Sequence, residues 1–284
     1  MTEFVLAANG ALDPAAALSV LRSHAIPGAE ISGFADARHT RLLTIDGVAH
    51  AVQVTVMDRA VQVESAITDP DGLRVLTGAV RAWFDLDTDI ARINAHLAGD
   101  PVLGPLVGAR PGLRVTRFPE RFEAAVMIVL GQQVSLAAGR TFGGRLVRAY
   151  GGPGPAGLWR FPSPARLAGA PVGELPAAVG ITGARARTLS ALAGAVRSGL
   201  ELQAGVDRSA IRRALLALPG IGPWTVEGLC VRALGDPDGF PASDLVLRRA
   251  LGGASAAQTE ALAERWRPWR AYALAHLWAA ATAR

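Results

Sequence analysis

The chain of 284 residues contains no lysine: all 29 of its basic residues are arginine. That absence removes every side-chain amine able to form a Schiff base with a carbonyl or an opened sugar. Cysteine is nearly absent too. The single Cys230 excludes an internal disulfide framework, a cysteine-rich zinc site and a four-cysteine iron–sulfur cluster. The five histidines (His24, His39, His50, His96, His276) stand at spacings that suggest no metal site. Neither a signal-peptide pattern nor an apolar run of spanning length is visible, so the expectation is a cytoplasmic protein with no membrane segment.

What is present describes a globular chain, with half of its residues hydrophobic and 19% charged, long enough for one or two full cores. Charge is divided unevenly. Residues 1–111 carry 8 arginines against 13 acidic residues, net −5, whereas residues 112–284 carry 21 against 11, net +10. A basic half is the footprint of a phosphate-binding surface, although a merely solvated basic face has the same composition.

Periodicity divides the chain in the same way. Asp13 to Ala25 has helical spacing, with Asp13 placed as a cap and Pro14 at the first position. Leu42–Ile45, then Val52, Val54 and Val56, then Val61 and Val63 alternate as strands, with Asp46-Gly47 and Asp58-Arg59 as hairpin turns. A helix over about 71–84 follows. Beyond Phe84 helical patterns recur near 88–98, 119–130, 134–149, 183–198, 207–217, 223–234, 244–251, 256–265 and 268–282, and Gly151–Pro155 reads as a loop. The expectation is an α+β protein: an N-terminal domain of antiparallel sheet and helices over 1–85, and an all-helical body over 86–284.

The most informative stretch is Leu218–Asp244, LPGIGPWTVEGLCVRALGDPDGFPASD. Leu218-Pro219-Gly220-Ile221-Gly222 stands between two helical segments. Its alternating glycines allow positive φ and close backbone approach, and Pro223 suits a first helical position whose exposed amides can receive an anion. By themselves the glycines equally describe a plain helix–helix connection. Asp244, before Leu245–Leu251, is on its own terms a helix cap.

Taken together, these residues resemble the helix-hairpin-helix DNA glycosylases (HhH-GPD), whose signature is a Gly/Pro-rich loop followed by an aspartate. The spacing from Trp224 to Asp244 is similar to that of the 3-methyladenine DNA glycosylase II branch. Three further segments agree, in order along the chain: Phe84–Val115, Phe122–Ser135 (FEAAVMIVLGQQVS) and Pro268–Trp278 (PWRAYALAHLW).

The resemblance implies a helical glycosylase body with hairpin 218–222 and a base-excision activity on double-stranded DNA containing damaged bases. Asp244 falls on the family's catalytic aspartate, where a carboxylate stabilises the positive charge that develops on the sugar as an N-glycosidic bond breaks. Trp224 and Trp278 match pocket aromatics, able to hold a cationic alkylated purine by stacking and cation–π attraction. Gln133 sits in the position of the wedge that fills the gap left by a flipped base. Leu218, Gly220 and Gly222 mark the hairpin that grips phosphate, and Arg248 and Arg249 are placed for DNA contact. Where glycosylase/lyase relatives carry a lysine nucleophile this chain has Thr225, which implies a monofunctional hydrolase. No redox cofactor, nucleotide or divalent metal is implied, and the family hairpin allows a monovalent cation. The resembled enzymes generally act as monomers.

Two positions depart from the branch pattern. Gly228 and Leu245 stand where pocket tyrosines are expected, leaving substrate choice open between 3-methyladenine or 7-methylguanine and another base such as hypoxanthine or uracil. The rival from another class is a non-catalytic protein that binds damaged DNA.

Overall fold

Helix starts in this chain are written in short polar residues. In the computed structural model, which describes residues 1–33, 37–202 and 207–282, Asp13, Asp69 and Asp89 each accept a backbone N–H of the first turn of the helix that follows. Ser135, Ser163, Thr182, Asp207, Asp244 and Ser255 do the same farther along. Such caps satisfy amides that have no partner within the helix, each worth about 1 kcal/mol.

The N-terminal part runs β1 (Thr2–Ala7), α1 (Pro14–His24), β2 (Glu30–Ser32), β3 (Arg38–Ile45), β4 (Val48–Met57), β5 (Ala60–Ser65) and α2 (Pro70–Trp83). Its strands form one antiparallel sheet in the order β1-β5-β4-β3-β2. The β3–β4 turn has Asp46 at φ 49° and Gly47 at φ 78°, the positive pair that lets a two-residue hairpin follow the strand twist. Alternation buries Val52, Val54, Val56, Val61 and Val63 against α1 and α2. β1 and β2 had no distinct sequence signal: β1 lies at one edge and β2 has only three residues.

The remainder is helical: α3 (Ile90–Leu97), α4 (Gly104–Ala109), α5 (Arg121–Leu130), α6 (Leu136–Tyr150), α7 (Pro164–Ala168), α8 (Gly183–Arg197), α9 (Arg208–Leu216), α10 (Pro223–Arg232), α11 (Leu245–Ala250), α12 (Ala256–Ala263) and α13 (Arg270–Thr282). The longer helices fall where periodicity placed them; α4 and α7 are too short to show a period. One small strand pair, Gly152–Pro153 with Trp159–Arg160, lies at the segment read as a loop. Two cores hold this body. One centres on α5, α6, α8 and α10, and the other joins α3 and α4 to Trp266 and α13. Among the described residues no helix is long and apolar enough to cross a membrane.

Sheet and body are joined by a buried charge cluster. Arg41 of β3 donates to Glu30 (Nη1–Oε1 3.0 Å) and to Glu123 of α5 (Nη2–Oε1 2.6 Å). Burial pushes Glu30 up to about 7, with Arg41 pulling the other way, and burial likewise raises Glu123.

Candidate active site

α9 and α10 meet at the glycine hairpin, and the geometry there depends on a missing carbon. Gly220 has φ 77°, and a Cβ on it would lie 2.0 Å from Thr188 Oγ1 of α8. Conformation and packing therefore both demand glycine. Gly222 differs: it is the N-cap of α10, with no side-chain cap at that helix start, and a Cβ there would meet nothing within 4 Å. The open space lies beside the start of α10, where Gly222 carries no side chain.

From α10 the chain enters a loop that delivers Asp244. Asp236 pins it by accepting Arg212 Nη2 at 2.8 Å and Arg208 Nη1 at 3.2 Å, and Glu227 accepts the Phe240 amide at 3.0 Å. Asp244 is 8% exposed. Its Oδ1 accepts the Leu247 amide at 2.9 Å, which makes it the cap of α11, and Trp278 Nε1 at 3.2 Å. Its Oδ2 accepts Trp224 Nε1 at 2.9 Å. Three N–H donors fix the carboxylate, which has room for about four hydrogen bonds. Asp244, Trp224 and Trp278, on three different elements, are thus one hydrogen-bonded unit.

This unit borders a cavity of about 640 Å³. Gly228, one turn after Trp224, lines it, and a Cβ there would only touch Ile128 at 3.7 Å. Leu245 and Val246 are 54% and 41% exposed at its edge, with Leu136 across from them at 55%. This apolar rim could not be read from sequence, because it joins α6 to α11. Arg249 also lines the cavity, whereas Arg248 donates from Nε to the Ala254 carbonyl at 2.7 Å. The guanidinium of Arg232 covers one face of Trp278, 5.3 Å from the ring centre. The sequence reading missed Arg232, whose hydrogen-bond partners, Thr116 and His24, lie more than a hundred residues away.

Gln133 is exposed at φ 54° in the turn between α5 and α6. Its neighbour Gln132 is the anchor. The Gln132 amide donates to the Gly220 carbonyl at 3.0 Å and to Thr225 Oγ1 at 2.8 Å, while its own carbonyl accepts Arg185. The turn that carries Gln133 is therefore fastened to the hairpin. Burial pushes the Cys230 thiol up to about 12, so it is no nucleophile at neutral pH. Among the described residues no cluster of His, Cys, Asp and Glu is arranged to hold a metal ion.

Comparison with known proteins agrees with this geometry. Residues 126–270 match the family described as HhH-GPD superfamily base excision DNA repair protein, and residues 3–119 match the AlkA N-terminal domain. The chain belongs to the HhH-GPD superfamily. Among its HhH-GPD relatives is the probable bifunctional transcriptional activator/DNA repair enzyme AlkA of Mycobacterium tuberculosis, 41% identical over 91% of this chain and 53% of that protein. The chain thus spans about half the length of that relative. DNA-3-methyladenine glycosylase 2 of Escherichia coli is 36% identical over 69% of this chain and 68% of that protein. The fold is shared with the 3-methyladenine DNA-glycosylase from Archaeoglobus fulgidus, with a TM-score of 0.86, 21% identity and 98% of each chain covered.

Proposed function

We propose that this protein is a DNA glycosylase that hydrolyses the N-glycosidic bond of alkylated bases, of the 3-methyladenine and 7-methylguanine type, in duplex DNA. The observation that carries the proposal is the Asp244 carboxylate, held by the two indole N–H groups at the wall of a cavity large enough for an extruded base. As the bond breaks, its electron pair leaves with the base and positive charge grows on the sugar. Asp244 stabilises that charge, then takes the proton of the water whose oxygen bonds to C1′.

Family membership supports the reading, as do the activities for which the relatives are named. The hairpin offers backbone amides to a phosphate, the net charge of residues 112–284 favours DNA, and Gln133 stands exposed on a fixed turn to enter the duplex. A monovalent cation belongs to the proposal: the 218–222 turn presents neutral backbone carbonyls, the donor type such ions accept, although that of Gly220 already accepts from Gln132. Hydrolysis without strand cleavage is expected, because Thr225 occupies the nucleophile position, is buried and is bonded to Gln132. Borohydride should accordingly trap no protein–DNA adduct.

Release of 3-methyladenine and 7-methylguanine from methylated duplex DNA, measured for the natural protein and for Asp244→Asn, tests the reaction. Release that collapses in the variant while DNA binding persists supports it; binding without release by the natural protein would instead favour the damage-binding rival.

A further inference from the structure

The cavity is lined by charges of both signs, and two of them meet at one tryptophan: Asp244 accepts the Trp278 indole N–H, and Arg232 covers a face of the same ring. Trp224, Gly228 and Arg232 lie four residues apart along α10, so they share one face of the helix, and all three line the cavity. With glycine in the middle, no α10 side chain at that position stands between Trp224 and the guanidinium. Asp244 is the one acidic residue among the described lining residues, against five arginines: Arg110, Arg114, Arg140, Arg232 and Arg249.

Arg232 is set apart by its place on the Trp278 ring, not by having more open donors than the other four. Arg114 spends its donors on the carbonyls of Asn9, Ala11, Asp85 and Thr88. Arg140 donates to the Ala25 carbonyl, Arg110 pairs with Asp13, and Arg249 is exposed. Arg232 Nη1 donates to the Thr116 carbonyl at 2.7 Å and its Nη2 meets His24 Nε2 at 3.3 Å. These are its hydrogen-bond partners among the described residues, and they take two of the five N–H groups that a guanidinium carries. The His24 Nδ1–H donates to the Val20 carbonyl at 2.9 Å, which leaves Nε2 as an acceptor. Burial, with Arg232 adding to it, holds His24 down at about 3, so no second positive charge arises there at neutral pH.

We infer that Arg232, beside Trp278 in the cavity wall, forms a subsite for a carboxylate carried on the extruded base, so that the substrate class of this site includes carboxyalkylated purines. The inference rests on the glycosylase reading and deepens it. An N7-carboxyalkyl guanine is a zwitterion, with a cationic ring and an anionic arm. Asp244 on the N–H edge of Trp278 and Arg232 on its face match that polarity, and a guanidinium can bind a carboxylate through two parallel hydrogen bonds. The volume agrees, since about 640 Å³ is in the range of sites for ligands of drug size rather than of a bare ring. A methylated purine gains only the Asp244 contact.

The test uses duplex DNA with a single 7-(carboxymethyl)guanine or a single 7-methylguanine, and measures single-turnover release above the spontaneous rate. The natural protein should release both. Arg232→Met should lower the carboxymethyl-to-methyl rate ratio by about tenfold or more, the worth of a charge-assisted pair, and Arg232→Lys should restore part of it. Gly228→Tyr puts a ring one turn before Arg232, between the guanidinium and the cavity, and should lower the same ratio even if Arg232→Met folds poorly. Release of methylguanine but not of carboxymethylguanine by the natural protein would overturn the subsite and leave the glycosylase reading standing. So would an unchanged ratio in the folded variants. Release of neither lesion would remove the glycosylase reading, and the subsite with it.

Discussion

Two carboxylate sites in this molecule are built to opposite ends. At the junction of sheet and helices, Glu30 and Glu123 share the guanidinium of Arg41, so both carboxyl groups are held to one cation inside the protein. At Asp244 the donors are neutral: one backbone amide and two indole N–H groups. The nearby cation, Arg232, lies over the face of Trp278 rather than on the carboxylate. The first arrangement uses up the charge to join two parts of a fold. The second orients a charge and leaves it for something that comes from outside.

The contrast can be broken at either end. Arg41→Met should have the largest effect, about 3–5 kcal/mol of stability, because it strands two buried carboxylates. Chemical denaturation should show that loss, while base release by the folded fraction changes little. Asp244→Asn should do the reverse. Asparagine still caps α11 and can accept an indole N–H, so the unfolding midpoint should stay near that of the natural protein while base release falls by about 10²–10³-fold, the scale of one electrostatic stabiliser. A variant in which both quantities fell together would erase the distinction between the sites.

Smaller changes sharpen it. Gln132→Ala removes two hydrogen bonds that seat the turn, and should lower release by roughly tenfold with little change in nonspecific DNA affinity, read from single-turnover rates and from titration of undamaged duplex. The last prediction concerns pH. Burial holds His24 and His39 at about 3 and His276 at about 4. The unfolded chain therefore takes up protons below about pH 6.5 that the folded chain refuses, and stability falls as pH falls. Glu30, raised to about 7, works against this, because the folded state binds its proton first. Glu30→Gln should consequently steepen the acid loss between about pH 7 and about pH 5, seen in urea midpoints at the two values.

Local patterns were legible where local chemistry decides. Capping aspartates, the Asp46-Gly47 turn and the helical periods follow from near neighbours in sequence, and so do the hairpin glycines. Asp244, Trp224 and Trp278 are marked by the resemblance to the glycosylase family, yet their joining through both indole N–H groups is not, since Trp278 reaches Asp244 from a separate helix. Sequence also left undecided what distinguishes Gln132 from Gln133, because only contact with Gly220, 88 residues on, makes one an anchor and leaves the other exposed. Arg232 was invisible for the same reason: its guanidinium answers to Thr116 and His24.

The Gln132 amide has a consequence for how such a protein can search DNA. One side chain fastens the turn that carries Gln133, the proposed wedge, to the hairpin that would hold the backbone, and Thr188 packs tightly under that hairpin. In the proposed complex, grip and probe therefore form a caliper with a fixed gap. Each backbone position the protein seizes dictates which base step is pressed, so damage is found by moving the whole molecule along the duplex rather than by sweeping a loose finger over it.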